Sequence, residues 1–250
     1  MDLAQNFQDL FTIESLISML TLSVLEIVLG IDNIIFIAII AGKLPDRKDQ
    51  RKARALGLSL ALIMRIALLF SISWVIGLKE PLFYISGFGA TGRDLILFAG
   101  GVFLLFKTTV EIHNKIEGEG EQEVTVKKMA LNAVIMQIVF IDIVFSFDSI
   151  LTAVGLVSNV LIMVMAVIVA MLIMLAFSEK VSDFINKHPT IKMLALAFLL
   201  MIGMVLILDA FHFHVPKQYI YVSMTFSLLV EGLNMRMRSK RAKKGTHFDN

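Results

Sequence analysis

The 250-residue chain contains no cysteine, so disulfides, thiolate metal centres, zinc fingers and iron–sulfur clusters are excluded. Charge is scarce as well: Asp, Glu, Lys and Arg make up 18% of the residues, against 57% hydrophobic. A water-soluble domain of this length needs more charge and fewer unbroken apolar runs. The mean hydropathy of +0.81 therefore places the chain among all-α polytopic membrane proteins. No basic segment precedes the first apolar run, where Asp2, Asp9 and Glu14 stand instead. That run reads as a retained helix rather than a cleaved signal peptide. Histidine is missing from the middle of the apolar runs. His113, His188, His212 and His214 all fall at loops or helix ends, which argues against an imidazole-rich site inside the membrane. The last apolar run has no central lysine for a retinal Schiff base, and no paired His and Glu ligands suggest an intramembrane metalloprotease. Nothing points to an enzyme, an organic cofactor or a nucleic-acid partner.

What is present is a series of apolar segments, near 16–41, 55–78, 94–112, 129–156, 159–178, 191–210 and 218–235, which predict seven transmembrane helices in a lipid bilayer. Eighteen basic residues fall on one side, from Lys43 in the first loop to Lys244 in the tail; only Lys79, Arg93 and Lys217 fall on the other. The positive-inside rule puts the N-terminus outside and the C-terminus in the cytoplasm. The polar stretch 113–128 separates the first three helices from the next three. Three is odd, so the second triplet runs with opposite topology. The chain thus divides into a first three-helix repeat (1–112), an acidic cytoplasmic linker (113–128), an inverted second repeat (129–214), a seventh helix (215–236) and a basic cytoplasmic tail (237–250).

Two acidic motifs interrupt the apolar runs. Glu26-Ile-Val-Leu-Gly-Ile-Asp32-Asn33 and Asp142-Ile-Val-Phe-Ser-Phe-Asp148-Ser149 lie 116 positions apart, on equivalent helices of the two triplets. Each ionised carboxylate at mid-membrane costs roughly 3 kcal/mol on insertion scales. Six residues of straight helix turn about 600°, so the two acids of a motif would not share a face. Gly30 and Ser146 lie between them, where a break could turn both inward and free backbone carbonyls as cation ligands. Antiparallel packing would set Glu26 level with Asp148 and Asp32 level with Asp142, with Asn33 and Ser149 alongside. Arg65, in the middle of the second apolar segment, needs an acidic partner, and the motif carboxylates are the obvious candidates; alternatively it snorkels or bonds helix-end carbonyls.

Two plainer readings compete: carboxylates that only hold the bundle together, or a proton path without metal. Structural glue is better made from uncharged residues. An all-oxygen acidic site suits hard cations such as Mn²⁺, Mg²⁺ or Ca²⁺. Clustered carboxylates also need compensating charge once the cation leaves, and protons are at hand. Met163, Met165, Met171 and Met174, with no Cys or His beside them, read as packing or lipid-facing residues. Asp94, Asp209 and Glu231 stand near segment ends and read as interfacial.

The two motifs, together with Ser86-Gly-Phe-Gly-Ala-Thr-Gly-Arg93-Asp94 and Phe226-Ser-Leu-Leu-Val-Glu231-Gly-Leu-Asn234, resemble the TerC family of bacterial integral membrane proteins, within the LysE exporter superfamily. The resemblance implies a seven-helix inverted-repeat fold in the inner membrane and export of divalent metal, chiefly manganese, with Glu26, Asp32, Asp142 and Asp148 in the metal role. The leading expectation is a Mn²⁺ exporter working by proton antiport, for which a homo-oligomer is compatible. The alternative is a non-transporting membrane component of a metal or tellurite stress-resistance complex.

Overall fold

The computed structural model describes residues 12–71, 76–78, 80–85, 88–117, 130–157 and 159–245; the side chains at 85, 88, 148, 217 and 238–245 lie outside the described part. The apolar runs form helices α1 (Ile13–Leu29), α2 (Ile31–Ala41), α3 (Arg47–Phe70), α4 (Gly92–Ile116), α5 (Leu131–Leu156), α6 (Val160–Lys187), α7 (Pro189–Ala210) and α8 (Lys217–Gly245), with strands β1 (Pro81–Ile85) and β2 (Phe88–Thr91) between α3 and α4. Five of these, α3 to α7, are long and apolar enough to cross a membrane, and α1 with α2 forms a sixth, bent candidate. Many large apolar side chains face outward, such as Ile13, Phe70, Leu172 and Phe226. In lipid such a periphery needs no further cover.

The expected seventh span falls short of the same standard, because Gln218, Glu231 and Asn234 dilute the apolar run inside α8. That helix also continues past 236 to Gly245, since the Lys and Arg residues of the expected tail are good helix formers. The expected linker is helical over its first residues, up to Ile116, while 118–129 lie outside the described residues. The two short antiparallel strands were not part of the all-α expectation. They pair Tyr84 with Gly89 and Ile85 with Phe88, with an irregularity between Pro81 and Phe83.

The most extensive packing is α4 against α7, followed by α3 against α5 and α1 against α6. Glycine explains the first. A Cβ on Gly101 would lie 2.8 Å from the carbonyl oxygen of Gly203, and one on Gly203 would lie 3.2 Å from that of Gly101. The two backbones touch, as small residues permit between membrane helices.

The first motif helix is bent by 42° at Gly30, between α1 and α2. The Gly30 N–H still reaches the carbonyls of Glu26 and Ile27, at 2.8 and 3.1 Å, and its own carbonyl accepts from Ile34 N–H at 3.0 Å. The break is one residue long and costs little hydrogen bonding. The thioether of Met174 occupies the room a side chain would take there: a Cβ would stand 2.4 Å from its sulfur. The corresponding break at Ser146 does not form, and α5 is continuous from Leu131 to Leu156. The Ser146 hydroxyl is engaged by side chains, Arg65 and Asp142, rather than by the backbone.

Candidate functional site

Arg65 projects from α3 and is among the largest fully buried side chains, with 2% exposure. Its Nη1 donates to Glu26 Oε2 at 2.5 Å and its Nη2 to Asp142 Oδ1 at 3.1 Å. Its Nε donates to the Ser146 hydroxyl at 2.9 Å. That hydroxyl in turn donates to Asp142 Oδ2 at 3.0 Å, one helical turn back along α5. Asn33 Nδ2 donates to Asp142 Oδ1 at 3.0 Å. The network therefore joins α1, α2, α3 and α5. A planar guanidinium suits it, because its fork can hold two carboxylates and a hydroxyl in fixed directions.

Two acceptors in this buried set have no hydrogen-bond partner, Glu26 Oε1 and Asn33 Oδ1. Their residues are 2% and 3% exposed, so water does not satisfy them from outside. Unpaired buried acceptors are costly and call for an explanation.

Asp32, at the start of α2, is also buried. With Ser149, Leu29, Phe145, Ile202 and Tyr221 it lines a cavity of about 30 Å³. That is room for a small ion or one or two waters. The expected level of Glu26 with Asp148 involves a side chain outside the described residues; around Asp142 the contacts are these. Arg65 brings Glu26 together with Asp142, and Asn33 reaches Asp142 as well. The 42° bend between Glu26 and Asp32 alters the alignment that a straight pair of helices would have. Of the expected site residues, Glu26, Asn33, Arg65 and Asp142 are joined directly, and Asp32 and Ser149 share the adjoining cavity. The Asp148 side chain lies outside the described residues. Among the described residues no three His, Asp or Glu side chains converge into a ready-made metal centre; the guanidinium stands between the carboxylates instead.

Ser146 was expected only as a weak point in the helix, and its part in the network is new. The signal was its i, i+4 spacing from Asp142, the distance at which helical side chains meet. Asp94 has a structural role. It closes a capping box with Thr91, accepting from Thr91 N–H at 3.0 Å while its own N–H donates to Thr91 Oγ1 at 3.1 Å. The Thr-x-x-Asp spacing carries that signature. His212, the one non-glycine residue with positive φ (63°) among those described, places Nε2 2.9 Å from Asp94 Oδ2. These two line an open cavity of about 630 Å³ with Arg93, Thr91 and Thr152, and Thr152 stands three residues beyond Ser149 on α5. Asp209 lies 3.5 Å from His214, and Glu231 Oε2 accepts from Asn234 Nδ2 at 3.4 Å. Met163, Met171 and Met174 are buried in the core, whereas Met165 is exposed.

The family described as "Integral membrane protein TerC family" matches residues 11–246. Over 221 residues the chain is 50% identical to the UPF0053 inner membrane protein YoaE of Escherichia coli K12, covering 88% of this chain and 42% of YoaE. It is 49% identical to the UPF0053 inner membrane protein YgdQ of the same strain, covering 88% of this chain and 92% of YgdQ. A UPF0053 protein of Haemophilus influenzae is 47% identical, over 90% of this chain and 95% of its own length. The chain thus spans less than half of YoaE and nearly all of the other two. No solved structure matches.

Proposed function

The chain belongs to the TerC family of integral membrane proteins, and from that premise we propose that it exports divalent metal ions, with Mn²⁺ as the cargo, in exchange for protons. It is a multi-pass protein of the bacterial inner membrane, as are relatives whose names state that location. The observation that carries the transport reading is the pair of buried, unpaired acceptors, Glu26 Oε1 and Asn33 Oδ1, within a carboxylate network that adjoins the Asp32 cavity. Structural glue gains nothing from unpaired acceptors inside its own network, whereas a conduction site uses them to offer oxygens to a passing cation.

Charge supports a divalent cargo. When ionised, the four motif carboxylates Glu26, Asp32, Asp142 and Asp148 exceed the single Arg65 guanidinium by three negative charges, which a divalent ion together with a proton balances. The donors are all oxygen, which suits Mn²⁺, Mg²⁺ or Ca²⁺ over soft metals. After the ion departs, those charges need compensation in a low-dielectric interior, and protons supply it. The contacts of α1 with α6, α5 with α3, and α4 with α7 are those that two inverted helix triplets would make, with the two motifs on equivalent helices.

The test is flux in proteoliposomes. Mn²⁺ should move against an imposed pH gradient, and movement should stop when the gradient is dissipated. In cells, manganese content that is unchanged by deletion and by overexpression would leave the protein as a non-transporting membrane component.

A further inference from the structure

Arg65 presents a difficulty for any cation that is to use Glu26 and Asp142. Both oxygens of Asp142 are engaged, Oδ1 by Arg65 and Asn33 and Oδ2 by Ser146. One oxygen of Glu26 is held by the guanidinium and the other is unpaired. A metal cannot gather these carboxylates while the guanidinium lies between them. A buried guanidinium is also the one group here whose charge persists at any pH the cell meets.

We propose that Arg65 is a tethered counter-ion: its guanidinium holds Glu26 and Asp142 in the ion-free carrier and yields them to the divalent cation when that cation binds. This rests on the transport reading and adds a role to it. The arginine competes with the cargo for the same carboxylates, which weakens binding but gives the empty site a stable partner. That second effect permits release and return. Ser146 serves as the docking point, holding the guanidinium through Nε whichever carboxylate it relinquishes. Arg65 is thus a positioning residue whose exchange with the metal sets the balance between affinity and turnover.

The experiment measures equilibrium Mn²⁺ binding to the purified full chain and Mn²⁺ flux in proteoliposomes, for wild type, Arg65→Gln and Arg65→Lys. Removing the competitor should tighten Mn²⁺ binding in Arg65→Gln by about tenfold or more while slowing flux by a similar factor. Lysine keeps the charge but lacks the fork, so it should fall between the other two in both measurements. Mn²⁺ should also raise the unfolding temperature of Arg65→Gln by more than that of wild type, because the metal then supplies the missing partner. Should the glutamine variant not fold, the lysine variant decides by the same two readouts. Wild-type flux combined with variants that bind Mn²⁺ no more tightly than wild type would overturn the counter-ion role and leave transport standing. A wild-type protein that neither binds nor moves Mn²⁺ would overturn both.

Discussion

Arg65 on α3 and Ser146 on α5 meet through a 2.9 Å hydrogen bond from guanidinium Nε to the serine hydroxyl, and both are buried. The same hydroxyl donates to Asp142, so one small side chain orients a cation and an anion at once. Ser146→Ala deletes an acceptor for Arg65 and a donor for Asp142 without creating much space. Leaving two buried groups short of a partner should cost about 1–3 kcal/mol each. Thermal unfolding of the detergent-solubilised variant should show a clear drop. An unchanged midpoint would mean that the hydroxyl contributes nothing to the network.

Breaking the ion network from the other end should be more severe. Glu26→Ala leaves Arg65 with one carboxylate partner inside the bundle, and loss of one member of a buried pair typically costs about 3–5 kcal/mol. Yield of folded protein and thermal midpoint should both fall below those of Ser146→Ala. Equal stability of the two variants would show that Glu26 is a minor partner.

The Asp32 cavity separates function from stability. Asp32→Asn keeps the volume and removes the charge at a site lined by Ser149 and apolar groups. Mn²⁺ flux should be abolished while insertion and thermal stability stay near wild type. The same is expected of Asp148→Asn, from its place in the second motif. Full metal flux in both variants would remove Asp32 and Asp148 from the transport mechanism.

Glycine contacts give a prediction with an internal control. Gly101→Ala would force a methyl group against the Gly203 carbonyl at 2.8 Å and should destabilise by about 1–3 kcal/mol through overpacking. Gly232 in α8 has nothing within 4 Å of its would-be Cβ. Gly232→Ala should be neutral or stabilising, by up to about 1 kcal/mol from helix propensity. Thermal unfolding of the two variants side by side decides; equal shifts would refute the close approach of α4 and α7.

Orientation is tested by topology reporters. A reporter after Asn250 should read as cytoplasmic, and a tag placed in the 80–92 region should be reached from outside. The reverse pattern would break the inverted-triplet arrangement, which needs the first helix to enter from outside.

Most of the helical framework was legible because long apolar runs have few alternatives in a bilayer, where every backbone group must be satisfied within the segment. Arg65 was legible in part for the same reason: a charge in mid-run requires a partner and the four motif carboxylates were at hand, but which two of them it meets, Glu26 and Asp142, depends on how the helices pack. Ser146 was misread. A serine inside an apolar helix can weaken it or can serve a side chain across the bundle, and only the position of Arg65 decides between them. The strands Pro81–Ile85 and Phe88–Thr91 were missed since pairing is a relation between two stretches, each too short to display a period. The shortfall of α8 is a matter of degree: the apolar run 218–235 is visible, but Glu231 and Asn234 carry it below the standard the other helices meet.

The contact of Gly101 with Gly203 has a mechanical consequence. Where side chains interdigitate, two helices can slide by exchanging rotamers. Where backbone rests on backbone there is nothing to exchange, and α4 with α7 behaves as a single beam. On the proposed transport reading, a stroke would be made around that beam; the one-residue joint at Gly30, where the helix bends by 42°, lies in a different helix.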